Sequence, residues 1–570
     1  MAGDPVIGAT AFAGSNPRVH LRPLRLQATK VSASLVSRTE MAVNIVNRVD
    51  CRKLRRFLLL SLILVAGCAK VGPNYARPAA ELNQNWLEAQ DHGIKTGPGD
   101  YRTWWQVFKD PVLDRLIETA YRKNLDLRVA GLRVLEARAQ LGAAIGQLYP
   151  QTQQATGSVQ YVRESERVPE SVSYSAAALG LTATWEIDFW GKFRRAVESA
   201  DASLMASVAN YDSILVSLTG SAANLYVSIR TLERRLIIAR TNVETQQKSL
   251  QIARYRFEGG TTSKRDVEQA RTVLASTEAT VPVLQIQLRQ AEDALSVLLG
   301  MPPSLLTEQL QGSEAEIPAP PAEVVVGIPV DLLRRRPDIR AAEYNAMAQC
   351  AQIGVSKAQL YPALSLVGSF GFQSTNINNF SLGDLLLWGS RTGTIGPSVA
   401  WNIFNYGQLT NLVRVQDARF QELLVTYLNT VLSAQQDVED NLTGFLRSQE
   451  EAGSLEESAD AARSSLDLAV IQYSEGITDF TTVLTAQQSL LGAQDSLASA
   501  QGNISTFLVG VYRALGGGWE IRECRDFVPP EIREIMEKRT NWGGLLTPKS
   551  GPPPTPEQQE QKPLIRPPEW

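Results

Sequence analysis

Residues 185–191 read W-E-I-D-F-W-G, and residues 401–407 read W-N-I-F-N-Y-G, 216 positions later. After each stretch the chain runs without proline, through 192–258 and 408–474, until glycines interrupt a helical pattern. A shorter run then follows in each half and ends in Leu-Gly. A repeated unit of this length predicts an internal duplication, in which each half contributes the same elements.

The match continues upstream at a slightly shorter spacing. Residues 147–150 read Q-L-Y-P, and residues 359–362 repeat these four letters 212 positions later. Within the shorter runs, Val267 answers Val483 and Ala270 answers Ala486. The duplication therefore spans most of the chain.

Composition narrows the class of protein. The formal net charge of −3 gives no basic footprint for nucleic acid. Only two histidines occur, His20 and His92, which argues against most metal sites and most acid–base catalysis. The spacing of the four cysteines matches no metal-binding motif. We interpret Cys350 and Cys524 as isolated buried thiols, with a disulfide between them as the alternative.

The N-terminal part has the layout of a secretory signal. Basic residues at 52–56 precede an apolar run at 57–65, which is too short to span a bilayer. Residues 64–68, L-V-A-G-C, resemble a bacterial lipobox, which implies acylation of Cys68 as a covalent lipid anchor. Ala69 stands where an inner-membrane retention signal has Asp, so the resemblance implies the outer membrane. An ordinary signal peptide cut near Cys68 is the alternative.

Four segments alternate apolar with small or polar residues, at about 10 residues each, which suits tilted membrane strands. They lie within 153–162, 179–187, 364–372 and 394–403. Large aromatic residues lie near the strand ends, as in a membrane-interface girdle: Trp185, Trp190, Trp401 and Tyr406. A soluble pair of hairpins is the alternative.

Four strands cannot close a barrel, and free strand edges cannot face lipid because each unpaired backbone group there costs several kcal/mol. Other copies of the chain must complete the sheet. Two copies would supply eight strands, whose interior side chains fill; three would supply twelve and leave a passage. The geometry favours a homotrimer.

The two proline-free runs are each long enough for a helix of about 100 Å. Their apolar spacing predicts coiled-coil packing. Gly260 and Gly476 are expected at the turns that end them, with Ser263 or Asp479 capping the returning helix. Pro282 is expected to kink or pause the first returning helix, with no counterpart in the second.

Several motifs together resemble one family. They are C-x-x-V-G-P-N-Y from Cys68, W-W at 104–105, R-F-x-x-G from Arg256, L-L-R-R-R-P-D-I-R-A-A-E at 332–343 and A-L-G-G-G-W at 514–519. The chain resembles the TolC-like, NodT-type outer-membrane efflux lipoproteins that serve resistance-nodulation-division (RND) pumps.

The resemblance implies an α+β membrane protein with an internal duplication. Four β-strands per protomer would build a twelve-stranded trimeric β-barrel, continued by a long α-helical coiled-coil barrel in the periplasm. The channel would be passive, with no catalytic residue and no cofactor apart from the lipid on Cys68. Its partners would be a periplasmic adaptor protein, an inner-membrane RND pump and outer-membrane lipid, and the tips expected to dock the adaptor are Gly260, Thr261, Thr262, Ser263, Gly476, Ile477, Thr478 and Asp479.

The chain departs from the family at the expected periplasmic mouth. Members commonly have Leu-Asp-Ala-Gln on the second returning helix, whereas residues 484–487 read L-T-A-Q. We expect hydroxyl and apolar contacts to hold the mouth, with Thr481, Thr485 and Asp266 at the aperture.

The predicted domains are 1–67, an extension with the signal peptide; 68–310 and 311–525, the two repeats; and 526–570, a disordered Pro-rich tail. Organic toxicants or drugs are the favoured cargo, because the few scattered methionines and the scarce histidine suit soft metals poorly. A metal-efflux or type I secretion-like duct of the same fold, and a lipid-anchored coiled-coil scaffold without a pore, are the alternatives.

Overall fold

The computed structural model describes residues 70–97, 99–165, 167, 172–306, 308–311, 316–327, 329–377, 381–523 and 525–547. In chain order, its α-helices are α1 Pro111–Lys123, α2 Leu125–Gly146, α3 Lys192–Glu258, α4 Lys264–Leu298, α5 Pro329–Arg335, α6 Pro337–Ala358, α7 Gln408–Ser474, α8 Phe480–Ala514 and α9 Pro530–Arg539. Its strands are β1 Ile94–Thr96, β2 Thr152–Arg163, β3 Ser173–Ile187, β4 Val324–Val326, β5 Ala363–Thr375 and β6 Arg391–Ala400.

The two long helices have the bounds expected from the proline-free runs. Helices α3 and α7 each contain 67 residues, and each follows a glycine in the left-handed conformation, Gly191 with φ 78° and Gly407 with φ 83°. Glycine reaches this conformation without a steric penalty, so the chain can turn sharply from strand into helix there. The duplication therefore sets both the length and the entry of the long helices.

The returning helices α4 and α8 contain 35 residues each. Helix α4 continues through Pro282, so the prediction of a pause there is wrong. Packing explains the continuity: Leu284, two residues on, is buried against Leu232 and Leu236 of α3, and this contact holds the segment in place. The lost backbone hydrogen bond is outweighed by tertiary contacts.

Within the described residues, the larger sheet has the order β2–β3–β5–β6, with every neighbouring pair antiparallel. It consists of the two expected hairpins, joined by pairing of β3 with β5, where Trp185 lies opposite Leu366. Strands β2 and β6 are its outer members. One face is rich in exposed apolar residues, including Leu181, Phe370 and Ile395.

The middle of the molecule contains the largest core. Helices α1, α2 and α6 pack around α3 and α7, with Trp104, Tyr226, Tyr427 and Phe445 among the buried side chains. Asp110 caps α1, because its Oδ1 accepts a hydrogen bond from the backbone nitrogen of Val112 at 2.8 Å. The sequence did not reveal the two-stranded parallel sheet of β1 and β4 beside this core.

The prediction that 526–570 is disordered is wrong for residues 526–547. This segment contains α9 and packs on α2, where Leu135 meets Val528, Met536 and Leu546 in a small apolar cluster. Gly131 permits the approach, since a Cβ there would lie 2.1 Å from the carbonyl oxygen of Phe527. Residues 548–570 lie outside the described part of the chain.

None of the described helices is long and apolar enough to cross a membrane.

A buried ion pair joins the C-terminal segment to α3, and its loss should be costly. Asp212 is fully buried and accepts two hydrogen bonds from Arg522, one of 2.9 Å to Oδ2, with Arg340 at 3.8 Å. We expect Arg522→Leu to lower the free energy of unfolding in detergent by about 3–5 kcal/mol, because Asp212 then loses its main partner.

The control for this prediction is Arg447→Leu, which removes an exposed pair with Glu450. It should cost no more than about 1 kcal/mol. Denaturant titration of both variants checks the difference, and equal losses would show that Arg522 is not a special support of the fold.

Candidate functional site

The first turn, between α3 and α4, is stabilised by hydrogen bonds from its own hydroxyl groups. Gly260 has φ 73°, and Thr261 returns a backbone hydrogen bond of 2.9 Å to the carbonyl oxygen of Arg256, which ends α3. Thr262 and Ser263 both donate to the carboxylate of Asp266, Ser263 at 2.9 Å. Ser263 holds the N-cap position but makes no side-chain bond to the helix backbone, so it does not cap in the way expected.

The second turn, between α7 and α8, combines an exposed apolar side chain with a helix-capping carboxylate. Gly476 has φ 77°, and Ile477 beside it exposes 74% of its surface. Asp479 caps α8 as expected: its Oδ1 accepts from the Thr482 backbone nitrogen at 3.3 Å and from the Thr482 hydroxyl at 3.0 Å. These hydrogen bonds lower the pKa of Asp479 below its ordinary value. Thr478 contacts the same hydroxyl at 2.9 Å.

Arg256 ties the first turn to the second. Its guanidinium lies 4.6 Å from the centre of the Tyr473 ring and donates to the carbonyl oxygens of Tyr473 and Ser474, the latter at 3.2 Å. A cation at the end of a helix is stabilised by the helix dipole as well as by these bonds. The two turns are thus one connected surface, made by both repeats.

The residues expected at the aperture do not share one environment. Thr481 and Thr485 are exposed one turn apart on α8, and the Thr485 hydroxyl donates to the Thr481 carbonyl at 2.9 Å. Asp266 is only 8% exposed, and its carboxylate accepts the hydroxyls described above. Asp266 therefore stabilises the first turn, and the aperture role of all three residues stays a prediction.

At the other end of the long helices, the duplication repeats a single hydrogen bond. Trp185 Nε1 donates to the carbonyl oxygen of Leu148 at 3.2 Å, and Trp401 Nε1 donates to that of Leu360 at 3.0 Å. Both acceptors belong to the repeated Q-L-Y-P motif. Both indoles remain partly exposed at the strand ends, as an interface aromatic would be.

Trp190 and its counterpart Tyr406 differ sharply. Trp190 stacks on Tyr361, with ring centres 4.5 Å apart, and donates to the carbonyl oxygen of Pro362 at 2.8 Å. Tyr406 is fully exposed and has φ 48°. The first aromatic therefore joins the two repeats, and the second projects from the chain.

Cys68 lies outside the described residues, as does Cys524; Cys350 is a free, buried thiol. The described chain begins at Lys70, beside the strand ends: the backbone nitrogen of Val71 donates to the carbonyl oxygen of Trp190 at 3.1 Å. Arg195 holds the same stretch through the carbonyl oxygens of Val71 and Gly72, at 3.2 and 3.3 Å.

Among the described residues, no group of three or more His, Cys, Asp or Glu side chains is placed to hold a metal ion.

Comparison with known proteins identifies the family. The model of the outer membrane efflux protein family matches residues 116–301 and 328–517, one copy for each half of the duplication. The chain belongs to the outer membrane efflux protein family. The two matched segments contain both helix turns and all four strands of the larger sheet.

Relatives and solved structures agree with this family. Nodulation protein T of Rhizobium leguminosarum bv. viciae is 31% identical over 72% of this chain and 83% of its own length. The solvent efflux pump outer membrane protein SrpC of Pseudomonas putida is 28% identical, over 83% of this chain and its full length. The solved outer-membrane channel OprN is 32% identical and superposes with a TM-score of 0.74, covering 79% of this chain and all of OprN.

Sequence reasoning missed two contacts at the ends of the long helices, those of Arg256 and Arg195. The motif containing Arg256 was visible in the sequence. The contact of its guanidinium with the end of α7 was not, because Arg256 and Tyr473 are 217 positions apart. Arg195 likewise showed no sign of holding residues 71–72. The signal available was the loss of each arginine at the repeat spacing, where Asn411 and Gln472 stand instead.

The link between the turns can be tested through amide exchange. We expect Arg256→Ala to raise the hydrogen-exchange rate of the Gly476 and Ile477 amides roughly tenfold, because hydrogen bonds from a charged group contribute about 1.5–3 kcal/mol. Mass spectrometry of a peptide spanning 472–480 gives the rate. Arg254→Ala, which removes an exposed arginine from the same helix, is the matched control; equal rates in both variants would contradict the link.

Proposed function

We propose that three copies of this outer membrane efflux protein enclose a passive duct that carries small toxic compounds out of the cell. The observation that carries the proposal is the sheet. Four strands with outer members β2 and β6 stand at one end of two helical hairpins, whose 67-residue helices would extend about 100 Å.

The lipid environment determines how many copies the proposed duct needs. In a bilayer an unpaired backbone group has no water to bind, so the edges of β2 and β6 need strand partners. Twelve strands from three copies satisfy both edges and leave a passage, whereas eight strands enclose an interior filled by side chains. In this proposal residues 68–310 and 311–525 are the two repeats of each protomer, and their helices line a periplasmic tunnel.

The proposed orientation follows from the elements at the two ends of the long helices: the strands at one end and the helix turns at the other. The strands and acylated Cys68 would lie in the outer membrane of a Gram-negative bacterium, and the nearness of residues 70–71 to the strand end at Trp190 supports the anchor. The turns at Gly260 and Gly476 would then reach into the periplasm. We propose that they meet an adaptor protein and, through it, an inner-membrane RND pump.

The cargo proposed is small organic compounds. Support comes from SrpC, whose name assigns it to a solvent efflux pump. The duct needs no reaction of its own, since in this proposal the pump supplies the energy and the chain supplies the path.

The decisive experiment is conductance. The full chain, expressed with its own leader and purified with its lipid, should give discrete ion currents in planar bilayers. Protein whose insertion is shown by protease protection of the sheet, yet which passes no current, would overturn the duct and favour a lipid-anchored scaffold.

The aperture assignment makes a separate prediction. Thr485→Asp should place three carboxylates at the periplasmic mouth and shift the reversal potential in a salt gradient toward cation selectivity, because a ring of like charge concentrates counter-ions. Thr272→Asp on α4 is the control, since Thr272 is also exposed and also donates to the carbonyl four residues back. An unchanged reversal potential in Thr485→Asp would remove that residue from the aperture.

A further inference from the structure

The connection between β5 and β6 contains a run of exposed apolar residues. Residues 382–388 read L-G-D-L-L-L-W, and Leu386, Leu387 and Trp388 are 70%, 58% and 68% exposed. The connection between β2 and β3, residues 164–172, reads E-S-E-R-V-P-E-S-V and is mainly charged or polar. Adjacent apolar residues left exposed mark a surface that meets another apolar partner. The two hairpins of the duplication therefore differ in what their connections can contact.

Hydrogen bonds hold residues 381–391, called here the β5–β6 loop, in a defined shape. Ser381 and Asp384 form a reciprocal capping box, in which the Ser381 nitrogen donates to Asp384 Oδ2 at 2.9 Å. Ser390 Oγ closes the loop by donating to the carbonyl oxygen of Asp384 at 2.7 Å. The exposed apolar side chains thus belong to a segment that its own hydrogen bonds keep in place.

The β5–β6 loop lies on the apolar face of the sheet. Ser374 Oγ donates to the carbonyl oxygen of Ser381 at 2.7 Å, and Ala177, opposite Ser374 in the strand register, is only 5% exposed. Side chains four positions apart in a strand share a face, so Ala177 and Ser374 are on the side of Leu181 and Phe370. The loop therefore does not cover the polar face, which lines the passage in the proposed duct.

Strand length gives the level of the loop in the membrane. Arg391 begins β6, and Trp401 follows it ten positions later, directly after the strand ends. At about 3.4 Å per residue and a tilt of about 40–45°, this stretch rises about 25 Å, which is the height of the apolar band of a membrane barrel. With Trp401 at the inner interface, the β5–β6 loop lies at the outer interface. Tyr161, on the apolar face of β2 near the same end, is also exposed.

Arg391 supplies a positive charge at this level. Its guanidinium lies 4.8 Å from the centre of the Trp388 ring, and its Nη1 donates to the Trp388 carbonyl oxygen at 2.7 Å. Arg391 is exposed and lies opposite Phe372, on the apolar face. Within the described residues no carboxylate forms an ion pair with it. The guanidinium therefore has N–H groups left for an anion from outside the chain.

We propose that the β5–β6 loop binds the anionic, phosphate-bearing lipid of the outer leaflet. Leu386 and Leu387 lie among its acyl chains, and Arg391 donates to a phosphate group. Arginine suits this role because its planar fork of donors matches phosphate oxygens. Trp388 lies at the boundary, where an indole has both apolar and polar surroundings. The inference rests on the membrane-inserted sheet proposed above and adds a lipid contact made by the second hairpin alone.

The position of the loop favours lipid over a second protein as the occupant. Leu181, Phe370 and Ile395 share the apolar face, which meets acyl chains in the proposed duct, and the loop continues this face outward. The loop packs against β3 and β5, the two inner strands, whereas a second copy would approach the outer strands. Burial of its apolar side chains in lipid and attraction of Arg391 to the head groups then act together.

Spin labelling tests the position of the loop. The full acylated chain, with Cys350→Ser and Cys524→Ser, carries a nitroxide on Leu387→Cys and is reconstituted in vesicles of phosphatidylcholine and lipid A. The label should be more accessible to oxygen, which dissolves among acyl chains, than to a water-soluble nickel complex. Glu164→Cys, on the polar connection between β2 and β3, is the matched control and should show the reverse.

Two results of the labelling would overturn the proposal. A Leu387→Cys label that is more accessible to nickel than to oxygen would lie in water. A label protected from both reagents would be covered by protein, from the same chain or from a second copy.

The charge is tested with Arg391→Gln. This variant should bind lipid A roughly fivefold more weakly, because each basic residue near an anionic lipid surface adds about that factor. Arg391→Lys should retain most of the affinity, since it keeps the charge. Native mass spectrometry of protein released from vesicles of increasing lipid A content counts the lipid retained. Arg463→Gln, which removes an exposed arginine far along α7, is the control; equal affinities in the Arg391 and Arg463 variants would overturn the phosphate contact.

These outcomes are separate from that of the duct. A protein that conducts, yet has a water-exposed Leu387→Cys label and unchanged lipid A binding in Arg391→Gln, defeats the lipid contact and leaves the duct intact. A protein that passes no current, although its label reports acyl chains, defeats the duct and supports the lipid contact of an inserted sheet.

Discussion

The constraint on which the rest of the structure depends is the need to hydrogen-bond the backbone of the two outer strands. Strands β2 and β6 end a sheet whose apolar face carries Leu181, Phe370 and Ile395, so this sheet suits a lipid environment on one side. In that environment a strand edge must be paired, because hydrocarbon offers no hydrogen-bond partner. In the proposed duct, neighbouring copies of the chain supply the strand partners for these two edges.

The two repeats have the same elements in the same order, but their contacts are not equivalent. Trp185 and Trp401 keep the same hydrogen bond to their own Q-L-Y-P motif, which fixes the strand ends in both halves. Arg256 joins the first repeat to the second, and Arg195 holds residues 71–72 against α3. Asn411 and Gln472 stand at the positions that match Arg195 and Arg256. Two arginine contacts of the first repeat are therefore not repeated as arginines in the second.

Much of the architecture was predictable because it depends on local rules. The absence of proline and the glycines at each end define α3 and α7, and alternation of apolar residues defines the strands. The pause predicted at Pro282 was wrong, because packing of Leu284 against α3 outweighs the local effect of the proline. The order in 526–547 was missed because its apolar residues make sense only against α2, far away in sequence.

The candidate site was harder to predict for the same reason. Turn chemistry located Gly260, Gly476 and the cap at Asp479, whereas the link from Arg256 to the end of α7 needs three-dimensional information. Asp266 was predicted at the aperture from its sequence position, which did not reveal that its carboxylate accepts hydrogen bonds from Thr262 and Ser263. Sequence spacing identifies residues on one element; it does not show what a second element brings to them.

The central claim is that the sheet of one chain is incomplete and that three chains complete it. Native mass spectrometry of the acylated protein released from lipid nanodiscs counts the copies in each particle directly. Particles of three copies are predicted, with no stable population of one or two. A predominant single copy that keeps its sheet folded in the bilayer would contradict the account.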